Sequence, residues 1–195
     1  MPTEIFLIFA GYALGGFSFG YYLVRLYTGE DIREVGSGSA GATNVGRKLG
    51  GWGFGVTLLL DATKGAVAAG AAVYFGLDPS GVMWTILVVV AGHIWPLQLG
   101  FRGGKGIAPA LGGIFVLDYR LGIITILLCG LIFVFARRLT LSGLLAVVIS
   151  PGLAFSLGHS GRTVLALSAL VILILIAHND NIRAMFAGTH RQAVG

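Results

Sequence analysis

The 195-residue chain is 56% hydrophobic and only 11% charged, with a mean hydropathy of +0.89. Soluble domains carry about 25% charged residues, so this composition excludes an ordinary soluble domain and indicates an integral membrane protein. The net charge is +5, but the cations are scattered over short loops, which argues against nucleic-acid binding. At ~20 residues per span, roughly six or seven spans fill the chain, and residues 1–195 are expected to form a single transmembrane domain.

Apolar runs between polar or Gly/Pro punctuation predict an all-α, polytopic fold with seven helices. The runs cover residues 5–27, 52–75, 82–99, 107–117, 121–136, 141–157 and 163–177. The first run lacks a basic leader and a small-residue cleavage site, so a retained span is expected there and not a signal peptide. The fourth run is short for a hydrocarbon core about 30 Å thick, and it is either a short crossing helix or a re-entrant segment.

The loop cations favour the crossing interpretation. If the fourth run crosses, ten cations share one side of the membrane and two lie opposite, whereas a re-entrant run gives an even split. The positive-inside rule then predicts seven spans with the N-terminus outside and the C-terminus in the cytoplasm. The ten are Arg25, Arg33, Arg47, Lys48, Arg102, Lys105, Arg137, Arg138, Arg183 and Arg191, and the two are Arg120 and Arg162.

Three polar islands interrupt the apolar sequence, and this topology places all of them on the cytoplasmic side. The first island, residues 37–47, reads Ser-Gly-Ser-Ala-Gly-Ala-Thr-Asn-Val-Gly-Arg. Small residues let backbone amides approach an anion closely, and Arg47 with Lys48 would neutralise its charge. The alternative is a flexible glycine linker, which has no need of Asn44 or Arg47. No Walker-type phosphate loop occurs, so nucleotide hydrolysis is not expected.

The other two islands border the fourth and the last apolar runs. The second island, residues 103–109, places Lys105 and free backbone amides at a predicted helix N-terminus, which favours a bound anion, although a lysine snorkelling to the membrane boundary is the alternative. The third island, residues 178–183, presents His178 and Asn181 on one helical face. That pair is suited to accept a hydroxyl proton and orient the hydroxyl, or it simply ends the helix.

A few polar residues lie inside the apolar runs. Asp61 and Lys64 are three residues apart in the second run and are expected to form a structural ion pair that positions the first island, in preference to direct substrate contact. Ser142 either caps the sixth helix or contacts a substrate phosphate. His93 and His159 are not expected in the site. No cluster of His, Cys or carboxylates has metal-ligand spacing, so no metal is expected.

Two anion pockets at one membrane face suit a reaction that joins a phosphorylated water-soluble compound to a lipid-like one. No serine or cysteine has a neighbouring base in sequence, which favours direct transfer between bound substrates over a covalent enzyme intermediate. A transporter or channel for a phosphorylated anion is the alternative from a different class. No inverted repeat is apparent, however, and a through-path would need polar sites on both faces. A purely structural membrane protein would leave the anion-binding residues unexplained.

The wording and order of the three islands, together with Asp61-Ala-Thr-Lys64-Gly65, resemble the bacterial acyl-phosphate-dependent glycerol-3-phosphate acyltransferases over essentially the full length. The third motif extends through Gly188, and the chain departs from the family pattern at His190, where glutamate is usual. The resemblance implies an enzyme of phospholipid synthesis that transfers a fatty acyl chain from acyl phosphate to the sn-1 hydroxyl of glycerol 3-phosphate. The products are phosphate and lysophosphatidate.

The resemblance also implies roles for individual residues. The first motif would bind phosphate through Ser37, Thr43, Asn44 and Arg47 and the second through Gly103, Gly104, Lys105 and Gly106, while His178 and Asn181 would orient the glycerol hydroxyl. The proton acceptor stays open between His178 and a substrate phosphate oxygen. The His–Asp signature of acyltransferases that use soluble donors is absent, so acyl-CoA is less expected as donor. The expected enzyme needs no cofactor, lies among the lipids of the bacterial cytoplasmic membrane with its site facing the cytosol, and has an undetermined oligomeric state.

Overall fold

The computed structural model describes residues 2–186, and all regular secondary structure in that part of the chain is helical. The α-helices are α1 (Pro2–Gly16), α2 (Phe19–Thr28), α3 (Ala42–Tyr74), α4 (Pro79–Ile94), α5 (Ile107–Leu117), α6 (Tyr119–Ala136), α7 (Leu139–Ser156), α8 (Gly161–Ala177) and α9 (Asn179–Phe186). Short 3-10 turns cover Ile32–Glu34 and Leu97–Leu99. The prediction of an all-α fold is therefore confirmed.

Several of these helices are long and apolar enough to cross a membrane. Within the described residues, five segments meet both conditions, namely Thr3–Thr28, Ala42–Tyr74, Pro79–Leu99, Tyr119–Ala136 and Leu139–Ser156. Helices α8 and α9, bent by 65° at their junction, would supply a sixth span, and α5 is a shorter apolar helix. On α6, Leu127 and Phe135 are 66% and 81% exposed, and large apolar side chains at such exposure require a hydrocarbon surround. The chain is a multi-pass membrane protein.

The structure corrects two of the predicted boundaries. The first apolar run is broken at Phe17 and Ser18, between α1 and α2. Helix α3 begins at Ala42, ten residues before the predicted start at residue 52, and is kinked at Gly50, where φ is 78° and ψ is −170°. The second half of the first island is thus helical and not a loop. Hydropathy missed this part of the helix because its polar side chains carry no apolar signal.

The short helix α5 packs along α3 with the two backbones in direct contact. A Cβ atom at Gly65 would overlap the carbonyl oxygen of Pro109, and one at Gly112 would overlap that of Ala62. Small residues permit this close approach, which is the main source of helix association where lipid removes the hydrophobic driving force. The contact fixes the N-terminus of α5, and with it the second island, against α3, which carries the first.

Candidate active site

A cavity of about 240 Å³ is lined by residues of all three islands. Of the residues predicted from sequence, it brings together Ser37, Thr43, Asn44, Arg47, Lys105, Gly106, His178 and Asn181, with Asp61 in its wall. The rest of the lining is largely apolar and comes from α3, α5, α6 and α7, including Phe54, Leu58, Leu111, Cys129 and Leu139. The cavity therefore joins a polar end, formed by the islands, to an apolar end between helices.

The first island is organised around the side chain of Asn44, which is only 2% exposed. Its Oδ1 accepts a hydrogen bond from the Ser37 amide at 3.0 Å, and its Nδ2 donates to the carbonyls of Val35 at 2.8 Å and Ser39 at 2.9 Å. A primary amide has two N–H bonds and one carbonyl, so these partners occupy it. The structure thus places Asn44 in the framework of the loop, and its amide is not free to bind a phosphate.

The second island is connected to both of the others. The Ala40 amide donates to the carbonyl of Gly103 at 3.1 Å, and Lys105 Nζ donates to Oδ1 of Asn181. Gly106, with φ at 90°, is the N-cap of α5, so the cavity meets a helix N-terminus whose first amides have no partner within the helix. Gly103 and Gly104 do not line the cavity; their amides donate to the carbonyls of Ile94 and His93 at the end of α4.

The polar end of the cavity is electrostatically suited to an anion. Burial lowers the pKa of Lys105 below its ordinary value; the charge of Asp180 opposes this shift, and that of nearby Arg47 adds to it. Two cations held together in a partly desolvated space repel each other, and a bound anion relieves that repulsion. The lysine, the arginine and the helix N-terminus all favour the same kind of ligand.

The third island supplies a histidine with a defined tautomer. His178 caps the C-terminus of α8 and is 2% exposed. Its Nδ1 lies 2.8 Å from the carbonyl oxygen of Ile174, which can only accept, so Nδ1 carries the proton. In the neutral ring Nε2 is then a hydrogen-bond acceptor. Asn181, three residues later on α9, lines the same cavity.

A buried cluster of Asp61, Lys64 and His93 lies beside the islands. Lys64 Nζ is 2.9 Å from Asp61 Oδ1, and both side chains are at most 2% exposed. This pair was predicted from the sequence, but His93 was not; its Nδ1 is 2.8 Å from Lys64 Nζ, and its ring lines the cavity. A signal for such a residue was present, since an ionisable residue in an apolar run requires a polar partner, often from another helix.

Two other polar residues, Ser142 and His159, lie outside the cavity. Ser142 is buried in α7, and its Oγ donates to the carbonyl of Arg138 at 2.9 Å, so it neither caps the helix nor lines the cavity. His159 hydrogen-bonds Asp118 at 3.1 Å. This pair lies next to the C-terminus of α5 and the N-terminus of α8, whereas the islands adjoin the other end of each of these helices. Gly188 and His190 fall outside the described residues. Within residues 2–186, no group of three or more His, Cys, Asp or Glu side chains could hold a metal ion.

Residues 5–188 match the family model described as glycerol-3-phosphate acyltransferase. Among curated relatives, glycerol-3-phosphate acyltransferase 1 of Desulfitobacterium hafniense is 47% identical over 93% of this chain and 90% of its own length. The corresponding protein of Thermotoga petrophila is 37% identical over 93% of this chain and 92% of its own length.

Two solved structures of PlsY, described as an integral membrane glycerol 3-phosphate acyltransferase, have the same fold. The glycerol 3-phosphate form is 34% identical, with a TM-score of 0.91 over 98% of this chain and 96% of that one. The lysophosphatidic acid form is 31% identical, with a TM-score of 0.87 over 97% and 94%. These matches confirm the resemblance of the three motifs, and the chain belongs to the glycerol-3-phosphate acyltransferase family of integral membrane enzymes, which act in phospholipid synthesis.

Proposed function

We propose that this enzyme transfers a fatty acyl group from an acyl phosphate to the sn-1 hydroxyl of glycerol 3-phosphate. The products are 1-acyl-glycerol 3-phosphate and inorganic phosphate, and no covalent acyl-enzyme forms. The observation that carries this proposal is the two-part cavity, in which cationic islands and helix N-termini adjoin an apolar space between helices. A donor with a phosphate at one end and a hydrocarbon chain at the other matches that division.

At the polar end, Lys105 and Arg47 balance the charge of the two substrate phosphates. The side chains of Ser37 and Thr43 and the amides at the N-termini of α3 and α5 supply hydrogen-bond donors. Gly103 and Gly104 act through the backbone of the loop that presents Lys105. Asn44 shapes the first island from behind, because its amide is already bonded to the backbone.

The apolar end receives the acyl chain. Sites for drug-sized ligands span about 300–1,000 Å³. The cavity of about 240 Å³ is smaller, so it encloses the reacting groups and only the first part of a long chain. Leu139, a lining residue at the start of α7, is 41% exposed. The remainder of the chain extends from there into the bilayer.

The chemical step is a direct displacement at the acyl carbon. The glycerol hydroxyl oxygen forms the new ester bond, the bond from the acyl carbon to the phosphate oxygen breaks, and phosphate leaves with the electron pair. His178 Nε2 accepts a hydrogen bond from the hydroxyl and Asn181 orients it; the hydroxyl proton ends on the imidazole or on a phosphate oxygen. Because phosphate is a good leaving group, alignment and charge stabilisation supply most of the rate acceleration.

The proposal includes the topology of the chain in the membrane. Seven spans, with α5 as the short one and α8 with α9 as the last, give an N-terminus outside and a C-terminus in the cytoplasm. Residues 1–195 form one domain in the bacterial cytoplasmic membrane. All three islands then face the cytosol, where glycerol 3-phosphate is dissolved, and ten of the twelve loop cations lie on that side.

The test is acyl transfer by the purified, detergent-solubilised protein, with radiolabelled glycerol 3-phosphate and either palmitoyl phosphate or palmitoyl-CoA as donor. We expect lysophosphatidate from palmitoyl phosphate alone. His178→Ala and Lys105→Ala are each expected to lower kcat/KM by about 100-fold or more, the usual loss on removing an acid–base or charge-stabilising group. Equal activity with palmitoyl-CoA would overturn the assignment of the donor.

Chain-length preference tests the apolar end. Cys129 on α6 lines the cavity, whereas Leu127 on the same helix is 66% exposed toward lipid. Cys129→Trp is expected to lower kcat/KM for the sixteen-carbon donor about tenfold relative to an eight-carbon donor, because the larger ring fills the chain path. Leu127→Trp is the matched control and should leave that ratio unchanged. An unaltered ratio in Cys129→Trp would place the acyl chain elsewhere.

A further inference from the structure

His93 lies in the last turn of α4 and is 2% exposed, yet the proposed reaction assigns it no part. Its ring separates two features of the molecule. On one side is the buried ion pair of Asp61 and Lys64, and on the other is the glycine loop that precedes Lys105. Both contacts are close, so the position of this ring constrains the position of the loop.

On the first side, the contact with Lys64 fixes which ring nitrogen carries the proton. Lys64 Nζ donates to the carbonyls of Gly15 at 2.9 Å and Phe17 at 3.0 Å and lies 2.8 Å from Nδ1 of His93. An ammonium has three N–H bonds and no lone pair, so Nδ1 must accept and the ring proton resides on Nε2. Asp61 Oδ1, 2.9 Å away, supplies the opposite charge.

These acceptors tie separate parts of the chain to one ammonium group. Gly15 is in the last turn of α1, Phe17 lies in the break between α1 and α2, and α2 leads into the first island. Lys64 itself is on α3, and His93 is on α4. A lysine held by three acceptors and a carboxylate, with 1% of its side chain exposed, has little freedom to move.

On the second side, the ring lies against the second island. A Cβ atom at Gly104 would overlap the imidazole of His93. The backbone adds to this contact, since the Gly104 amide donates to the His93 carbonyl at 3.0 Å and the Gly103 amide donates to the Ile94 carbonyl at 3.1 Å. The Gly103 carbonyl in turn accepts a hydrogen bond from the amide of Ala40 in the first island. The loop is therefore held between the end of α4 and the first island, with the His93 ring as its support.

We infer that His93 is a positioning residue: by accepting a hydrogen bond from Lys64 and supporting Gly104, it sets where Lys105 stands relative to the first island. This inference rests on the proposed role of Lys105 in binding the phosphate of glycerol 3-phosphate. In this role His93 acts through the placement of Lys105 and not by contact with the reacting atoms. Its loss should therefore weaken substrate binding through displacement of Lys105, while the chemical step, once substrate is bound, is largely preserved.

The first experiment compares His93→Leu with His93→Asn in steady-state acyl transfer. Leucine cannot accept a hydrogen bond, whereas the asparagine carbonyl lies near the position of Nδ1 and can accept from Lys64. In His93→Leu we expect the KM for glycerol 3-phosphate to rise about 10- to 100-fold, with kcat changed less than about threefold. In His93→Asn we expect the KM to return most of the way to the wild-type value. A purely structural role would instead lower thermal stability and the amount of folded protein while KM stayed at its wild-type value.

Lys105→Met is the reference that separates this inference from the proposed function. A normal KM in Lys105→Met would overturn the role of Lys105 and this inference with it. A raised KM in Lys105→Met together with a normal KM in folded His93→Leu would overturn the inference alone. The inference also fails if His93→Asn is as impaired as His93→Leu, because the hydrogen bond from Lys64 would then be irrelevant.

A double-mutant cycle keeps the role of His93 testable if His93→Leu does not fold. Gly104→Ala introduces a methyl group that overlaps the ring in the wild type but has room when the ring is removed in His93→Ala. We expect Gly104→Ala to raise the KM for glycerol 3-phosphate at least about fivefold more in the wild-type background than in His93→Ala. Equal factors in the two backgrounds would show that the ring does not support the loop.

Discussion

Two clusters of the same composition, each an aspartate, a basic residue and a histidine, lie in different surroundings. The buried cluster contains Asp61, Lys64 and His93, and the turn cluster contains Asp118, Arg120 and His159. In the buried cluster no side chain is more than 3% exposed, whereas the side chain of Arg120 is 55% exposed. Composition alone therefore does not assign a role, because the surroundings of each cluster decide what it does.

The turn cluster is mostly local. Asp118 caps α6 by accepting from the Arg120 amide at 2.9 Å, and it also accepts from the Arg120 guanidinium. Its hydrogen bond with His159 joins the turn between α5 and α6 to the turn between α7 and α8. These bonds hold the pKa of Asp118 well below its usual value, chiefly through the Arg120 side chain. The cluster fastens two turns and lies away from the islands.

The largest difference between the clusters should appear on removal of the cation. Lys64→Met leaves Asp61 and two backbone carbonyls without their partner in a dry interior, and we expect the free energy of unfolding to fall by about 3–5 kcal/mol. Arg120→Met removes a half-exposed cation, and Asp118 keeps its hydrogen bonds with the backbone amide of residue 120 and with His159, so a much smaller loss is expected. Unfolding in mixed detergent micelles, followed by circular dichroism, measures both.

The matched control for Lys64→Met is the double variant Asp61→Leu with Lys64→Met. Replacement of a whole buried ion pair by apolar residues is often neutral, so the double variant should be more stable than Lys64→Met alone. A similar loss in Lys64→Met and Arg120→Met would remove the distinction between the clusters.

The next largest effect is expected from the turn cluster itself. Asp118→Ala removes the cap of α6 and the bond to His159, and we expect a loss of about 1–2 kcal/mol in unfolding free energy. The KM for glycerol 3-phosphate should not change, because the islands are at the other end of the helices. Asp118→Asn keeps an acceptor for the cap and should lose less. A raised KM in Asp118→Ala would show coupling between the two ends.

The turn cluster also predicts a dependence of stability on acid. The folded-state pKa of Asp118 is lowered, so its contribution is complete above the ordinary pKa of an aspartate and is lost as the pH falls toward the lowered value. The difference in stability between the wild type and Asp118→Asn should therefore shrink as the pH falls below about 4. A difference that stays constant down to a pH of about 3 would contradict the ionised role of Asp118.

Much of the fold and part of the candidate site could be predicted from the sequence. The apolar runs located the helices because hydrocarbon burial requires long apolar segments, and the motifs identified the family. The islands were expected on one side from the charge of the loops, and in the structure residues from all three line one cavity. What hydropathy could not detect was helix in polar sequence, which is why the start of α3 at Ala42 was missed.

The roles of individual polar residues were harder to predict. Asn44 and Ser142 were both candidates for phosphate contact, but the first bonds to loop backbone and the second to the preceding helical turn. Small polar side chains satisfy nearby backbone groups as readily as a ligand, and sequence does not distinguish the two. His93 was missed because its partner Lys64 lies 29 residues away on another helix. An ionisable residue in an apolar run indicates that a polar partner exists, but only the folded chain shows which residue it is.

The smallest expected effect concerns the pH at which Lys105, at the polar end of the cavity, loses its proton. The guanidinium of Arg120 in the turn cluster stays protonated, whereas burial lowers the pKa of Lys105, with Arg47 adding to that shift. A lysine with a lowered pKa is cationic below that value and loses its proton as the pH rises through it. Its attraction for phosphate should therefore weaken at a lower alkaline pH than that of an ordinary lysine, and the Kd for glycerol 3-phosphate should rise.

Isothermal titration of glycerol 3-phosphate between about pH 7.5 and 9.5 measures this, with Lys105→Arg as the matched variant, since a guanidinium stays protonated over that range. The substrate phosphate is dianionic throughout, so its own titration cancels in the comparison. We expect the Kd of the wild type to rise roughly three- to fivefold more than that of Lys105→Arg, equivalent to about 1 kcal/mol. Parallel curves would mean that Lys105 keeps its proton over this range, and that the charge at the polar end of the cavity is as permanent as that of Arg120.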